Sequence, residues 1–170
     1  KRLKLYQREV LLGLGVEEVR WTFDPLVAQN AHVNLNDLGA EIESYVPEMY
    51  GSNTGSDLHS GLGTDRFITL WRIADARVAR VLNGKRPGAT KQFDTAPVVN
   101  SELRPNGSAN PVEAELPSAA TVRIEIPEDI QQAKSQSHDV AVRWRATTRR
   151  AFLWYLERGY RVTGFRRDPD

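Results

Sequence analysis

Asn30 and Asn34 stand one helical turn apart in WTFDPLVAQNAHVNLNDLGA, residues 21–40, on the stripe that also carries Leu26, Val27, Ala31 and Leu38. An amide on an apolar stripe needs hydrogen-bond partners, because leaving one buried and unpaired costs about 1–3 kcal/mol. Two arrangements supply them: a clamp onto a neighbouring loop, or a ligand that itself carries amides. A second concentration of chemistry lies further on, in Arg143, Arg145, Arg149, Arg150, Arg158, Arg161, Arg166 and Arg167. It reads either as a solvated helix face or as a seat for a phosphate or carboxylate, which the guanidinium fork binds at two points.

Other chemistry is excluded by what the composition lacks. The chain has 170 residues and no cysteine, so disulfides, thiolate nucleophiles and thiolate metal sites are out of reach. His32, His59 and His138 stand too far apart for metal-ligand spacing, and no metal is expected. There is no G-x-S-x-G elbow, no phosphate-loop motif and no dinucleotide fingerprint; Gly61-Leu62-Gly63 alone is not a motif. A net charge of +1 gives no global field for nucleic acid. With 40% apolar and 26% charged residues and only short apolar runs, neither disorder nor a membrane partner is expected. Residues 1–8 are charged and lack the apolar stretch of a secretory signal, so a cytoplasmic location is the expectation.

Periodicity supplies the elements that must position these residues. Leu3, Tyr6, Val10 and Leu14 recur at helical spacing and Leu5 and Leu12 add a second apolar side, so residues 1–12 are expected to be a helix stopped by Gly13 and Gly15. No cap precedes it; the helix starts in mid-element, and an amino-terminal truncation is expected. Val19, Trp21 and Phe23 alternate as a strand. Asp24-Pro25 then predicts a helix start, Asp24 as N-cap and Pro25 in the first turn, with the helix ending at Gly39. Residues 40–46 and 66–73 read as strands, 51–64 as a polar glycine-rich loop, and 74–82 as a short helix. Residues 83–118 hold five of the nine prolines and read as an excursion with little regular structure. Residues 121–126 and 160–165 alternate as strands. Between them, residues 138–158 are expected to be a helix burying Val140, Ala141, Trp144, Thr148, Ala151, Phe152 and Tyr155.

A strand, a short helix carrying Ala31, then Leu38-Gly39 entering another strand resembles the last strand–helix–strand unit of GNAT-superfamily, CoA-dependent N-acyltransferases. The resemblance sharpens toward a subgroup of predicted GNAT acetyltransferases with a WTFDPL…NA.FN…LGA…Y…YG stretch. Here it stands as Trp21-Thr22-Phe23-Asp24-Pro25-Leu26, Asn30-Ala31, Asn34, Leu38-Gly39-Ala40, Tyr45 and Tyr50-Gly51. Asp65-Arg66-Phe67 with Trp71 matches that subgroup's DRF…W strand. A late segment also matches, in Trp144-Arg145, Arg149, Ala151-Phe152, Tyr155, Gly159-Tyr160, Val162 and Gly164-Phe165.

This resemblance implies an α/β, GNAT-like fold, a mixed sheet with flanking helices and its amino-terminal strands missing. Residues 1–82 would be the carboxy-terminal half of the core, 83–118 the excursion, and 119–170 a strand–helix–strand extension on the same core. The implied activity is transfer of an acetyl or related acyl group from acetyl-CoA or another acyl-CoA to a small amine or amino acid, with homo-oligomerisation open. Asn30 and Asn34 would meet the amides of the pantetheine arm, with Lys4 beside them as a cofactor contact. Asp24, Tyr45, Tyr50 and Arg66 are the implied substrate contacts. Each has a plainer alternative: a helix cap for Asp24, packing for the tyrosines, a surface ion pair for Arg66. The family's glycine-rich pyrophosphate turn would fall just before Lys1. The tyrosine that many members use as general acid is Leu35 here, which leaves the catalytic group unassigned. That departure keeps a second expectation in view, a non-catalytic binding or interaction module on the same fold.

Overall fold

The computed structural model describes residues 1–51, 61–84 and 95–167. The segment RLKLYQREVLLG forms α1 (Arg2–Gly13), and the alternating EVRWTF forms β1 (Glu18–Phe23). After a turn comes α2 (Ala28–Ala31), which runs directly into a π-helix over His32–Asp37. β2 (Glu41–Val46) and β3 (Arg66–Arg72) complete a three-stranded sheet of order β1-β3-β2. β3 is antiparallel to both neighbours, so β1 and β2 run parallel with β3 between them. α3 (Ala76–Leu82) follows, capped by the Asp75 carboxylate, which accepts from the Arg77 amide at 2.6 Å. β4 (Ser101–Leu103) and β5 (Ala109–Pro111) make a small hairpin, and α4 (Ile130–Gln136) leads into the long α5 (His138–Glu157). The fold is mixed α/β, and among the described residues no helix is long and apolar enough to cross a membrane.

Strand alternation gives the main sheet one apolar and one charged face. On the apolar face Trp21 meets Trp71 edge-on at 5.9 Å. Leu11 and Leu12 of α1, Val33 of the π-helix and Val78 of α3 pack around this pair. Farther along the same face, Phe23, Tyr45 and Phe67 pack against Phe152, Leu153 and Leu156 of α5. The extension therefore shares a core with the first part of the chain. On the opposite face Arg20 pairs with Glu43 at 3.1 Å and Arg72 with Glu18 at 3.4 Å, side chains 39–49% exposed. Ion pairs that wet contribute little to stability.

Several expectations are corrected. Of the two apolar sides of α1, that of Leu3, Tyr6, Val10 and Leu14 faces outward, 43–79% exposed, and the helix packs through Leu12 of the other together with Leu11. Asp24 is not a helix cap: the helix begins at Ala28, and Asp24 accepts from the Leu26 amide at 2.9 Å in a local turn. Residues 121–126 and 160–165 are not strands; the first makes only an isolated bridge, Arg123 to Val98, and the second none. Their alternation is satisfied by packing, since Val122, Ile124 and Tyr160 lie against Ala151 and Tyr155 of α5. The excursion holds the β4–β5 hairpin, closed by a turn in which the Gly107 amide donates to the Arg104 carbonyl at 2.8 Å. Most of the 51–64 loop, His59 included, lies outside the described residues, as do residues 85–94 of the excursion.

Candidate functional site

The carboxy end of β1, the amino end of β3 and one face of α5 meet in a buried polar cluster. β1 ends at Phe23, so Asp24 projects from its tip, and Asp65-Arg66 opens β3 directly beside it. Arg145 and Arg149 lie one turn apart on α5 and both point at these carboxylates. Arg145 Nη2 donates to Asp24 Oδ2 at 2.7 Å and its Nε to the Leu62 carbonyl at 2.9 Å. Arg66 Nη1 lies 3.7 Å from the same Asp24 oxygen and donates to the Asp65 carbonyl at 2.7 Å. Arg145 is 4% exposed, and its Nη1 is buried with no partner among the described residues. A buried donor left unpaired costs about 1–3 kcal/mol, so this position invites an acceptor oxygen.

Asp65 is the second centre, with a side chain at 0% exposure. Arg149 grips it with Nε at 2.8 Å from Oδ2 and Nη2 at 2.6 Å from Oδ1; the Glu48 amide donates to Oδ1 at 3.1 Å. The Tyr45 hydroxyl donates to Oδ2 in a short bond. Burial opposes ionisation of Asp65, but the Arg149 and Tyr45 bonds outweigh it and hold the carboxyl below the usual carboxylate range. Tyr45 is pushed well above the ordinary phenol value by burial and by the anionic Asp65 it faces. Glu48 closes the ring of charges through Arg149 Nη2. Gly63 suits this position: its φ is +73°, and a Cβ would stand 2.5 Å from Glu48 Oε1 and 3.0 Å from Arg149 Nη2, so it would displace the ends of both side chains.

All four implied substrate contacts belong to this neighbourhood. Asp24 and Arg66 are paired, Tyr45 is bonded to the residue before Arg66, and the Arg66 guanidinium lies 5.3 Å from the Tyr50 ring centre. Tyr50 is the exposed member, its hydroxyl 2.9 Å from Thr22 Oγ1 and its amide donating to Thr64 Oγ1 at 3.0 Å. In the sequence, Arg145 and Arg149 stand in a basic run and in the late resembling segment, and Asp65 in the DRF match, but none of them, nor Glu48 or Thr64, is picked out as a site member. The available signal was an arginine pair at i, i+4 beside the apolar stripe of the long helix, together with the adjacent Asp65-Arg66.

The implied cofactor contacts do not gather. Asn30 is exposed and Asn34 is buried, so the two amides do not share one buried stripe. The switch to i→i+5 hydrogen bonding at His32, seen in the 3.0 Å bond from the Leu38 amide to the Val33 carbonyl, changes the angular step between them. Neither amide side chain is hydrogen-bonded to a described residue. Lys4 Nζ sits 4.0 Å above the Trp21 ring, with burial lowering its pKa. Leu35, half-buried, brings no proton to the site.

Chemically, Asp24 and Asp65 are each paired with guanidinium groups. What the cluster offers is fixed positive charge, one unmet donor and an aromatic face. Comparison with known protein families, curated proteins and solved structures finds no match to this chain.

Proposed function

We propose that the protein is an acyl-CoA-dependent N-acyltransferase of the GNAT type, passing an acetyl or related acyl group to a small amine or amino acid in the cytoplasm. The observation that supports it best is the convergence of Asp24, Tyr45, Tyr50 and Arg66, which the motif resemblance named from separate stretches of sequence. In such a transfer the neutral amine nitrogen attacks the thioester carbonyl carbon, the C–N bond forms and the C–S bond breaks. The nitrogen loses its proton to water or base, and the thiolate takes one up. Positive charge at Arg66 and Arg145 suits an acceptor carboxylate, so these residues contribute positioning rather than proton transfer. The buried, uncommitted Asn34 amide suits an amide of the pantetheine arm.

The test is release of CoA thiol from acetyl-CoA across a panel of amines and amino acids. Arg66→Lys keeps the charge and loses the fork. The expected outcome is an acceptor KM raised about tenfold with the acyl-CoA KM unchanged, equivalent to about 1.4 kcal/mol. Thermal unfolding of the variant separates this from a folding defect, and unchanged acceptor kinetics remove Arg66 from the site.

A second reading, a non-catalytic module on the same fold, is favoured by one observation: the described carboxylates are already paired and Leu35 stands where an acid is expected. Thermal stabilisation by an acyl-CoA or amino acid without any thiol release decides for that reading.

A further inference from the structure

Farther along α5 from the charge cluster, on the stripe that continues from Arg149 through Phe152 to Leu156, lies a second feature, whose lining includes Pro25 and Phe67 beside Asp24 and Arg66. Two extended segments, residues 120–126 and 160–165, run along a cleft whose floor is α5. Its deeper part has a volume of about 140 Å³ and is lined by Leu35, Ile124, Phe152, Leu156, Val162 and Phe165, among others. It opens into a second space of about 370 Å³ that shares Val122, Tyr160, Arg161 and Thr163 with the first. A dry cavity of ~150 Å³ lined by Leu, Ile and Phe is large enough to hold benzene. The deep part is thus sized for one phenyl ring, and its aromatic walls favour edge-on ring contacts.

The mouth is chemically different. Arg161, exposed and shared by both spaces, makes no hydrogen bond or ion pair to a described residue. The other arginine at the mouth, Arg158, is engaged with Trp154, donating to its carbonyl at 3.0 Å and stacking 3.9 Å from its ring centre. The backbone amides of residues 162–164 donate to no described residue. Along the walls, the Tyr155 and Tyr160 hydroxyls are spent on the Pro117 and Ala119 carbonyls, at 3.0 and 2.6 Å. The one charged group at the mouth without a described partner is thus the Arg161 guanidinium, beside the unpaired backbone of residues 162–164, at one end of an apolar slot. The carboxy-terminal wall is fastened by Asn36, whose side chain bonds the Phe165 carbonyl at 2.6 Å and its amide at 3.3 Å, so the slot has a fixed inner end.

We infer that this cleft is a binding site for a small aryl carboxylate, its ring between α5 and the two extended segments and its carboxylate on Arg161 and the neighbouring amides. The assignment does not rest on the acyl-transfer reading, and its test requires no turnover. Titrate 3-phenylpropionate into the protein calorimetrically, with 3-phenylpropanol as the uncharged analogue of equal shape. Saturable binding of the acid is expected, weakened about tenfold in Arg161→Gln, the worth of one charge-assisted bond. The alcohol should bind Arg161→Gln and wild type alike. Thr163→Trp, an exposed lining position whose indole fills the mouth, should block both compounds while leaving the thermal transition in place. Heats that do not saturate, an acid affinity indifferent to Arg161→Gln, or binding that survives Thr163→Trp would each overturn the assignment. Binding of an extended acidic peptide without the small acid also overturns it, in favour of strand addition.

Discussion

Asp65 shows how one side chain joins three elements. Its carboxylate, fully buried at the start of β3, takes Arg149 of α5 on two bonds, Tyr45 of β2 on a third and the Glu48 amide on a fourth. A buried carboxylate is tolerated only when its lone pairs are satisfied this fully. Asp65→Asn keeps the shape, removes the charge and leaves Arg149 facing Glu48 alone. A loss of roughly 3 kcal/mol is expected, the low end for a broken buried pair because Arg149 is 31% exposed. The pH dependence follows from the depressed pKa. Stability from Asp65 is complete above its unfolded value of about 3.9 and is lost as pH falls through the lower folded value. Urea midpoints measured from neutral pH downward should therefore fall below about pH 4 in the wild type, with a shallower fall in Asp65→Asn. Parallel acid profiles would remove Asp65 from the role. This centre was poorly legible in the sequence, because Asp65 and Arg149 are 84 residues apart and the resembling stretches that hold them do not show that they pair. Asp24, Tyr45, Tyr50 and Arg66 were nameable only because they fall in resembling stretches.

At the scale of elements, the passage from π-helix to β2 turns on Gly39. Its φ is +66°, which L side chains rarely adopt, and an added Cβ would lie 3.2–3.4 Å from the Val81 side chain of α3. The Trp71 indole donates to the adjacent Leu38 carbonyl at 2.9 Å, so this backbone cannot shift without freeing a buried donor. Gly39→Ala is expected to lower stability by about 2 kcal/mol, read as a urea midpoint shift at constant slope. Adding Val81→Ala should cost less in the Gly39→Ala background than in wild type, since it relieves the contact. Strict additivity would show that φ alone sets the cost. The same scale explains which elements the sequence disclosed. β1, β2, β3, α3 and α5 carry their period and their punctuation locally, although α3 starts at Ala76 behind the Asp75 cap and not at the expected residue 74. Residues 121–126 and 160–165 carry the strand period without strand pairing, because alternation records which side is packed and not where the backbone bonds go. In α1 the longer apolar stripe is the exposed one, and the helix packs through Leu12 of the second apolar side together with Leu11.

Across the whole molecule, the question is whether the sheet and the later helices open as one body. Three ties cross between them. Phe152 meets Phe67 at 4.7 Å and stacks on Tyr45 at 5.6 Å, Arg149 holds Asp65, and Arg145 holds Asp24 at 2.7 Å. Undocking α5 would expose that aromatic cluster and leave two buried or nearly buried carboxylates without their cations, a cost of several kcal/mol for each broken pair. Local opening of α5 is thus close to as expensive as losing β3, whose Phe67, Leu70 and Trp71 are 0–5% exposed. The β4–β5 hairpin is different, with three residues a strand and Leu103 75% exposed. Amide hydrogen exchange should accordingly show β3 and the middle of α5 protected to the same opening free energy, with β4 and β5 exchanging orders of magnitude sooner. Arg145→Leu together with Arg149→Leu should uncouple them, lowering protection in α5 first. If α5 in the wild type exchanges far ahead of β3, the charge cluster is not what holds the two parts together, and its buried pairs would serve ligand binding alone.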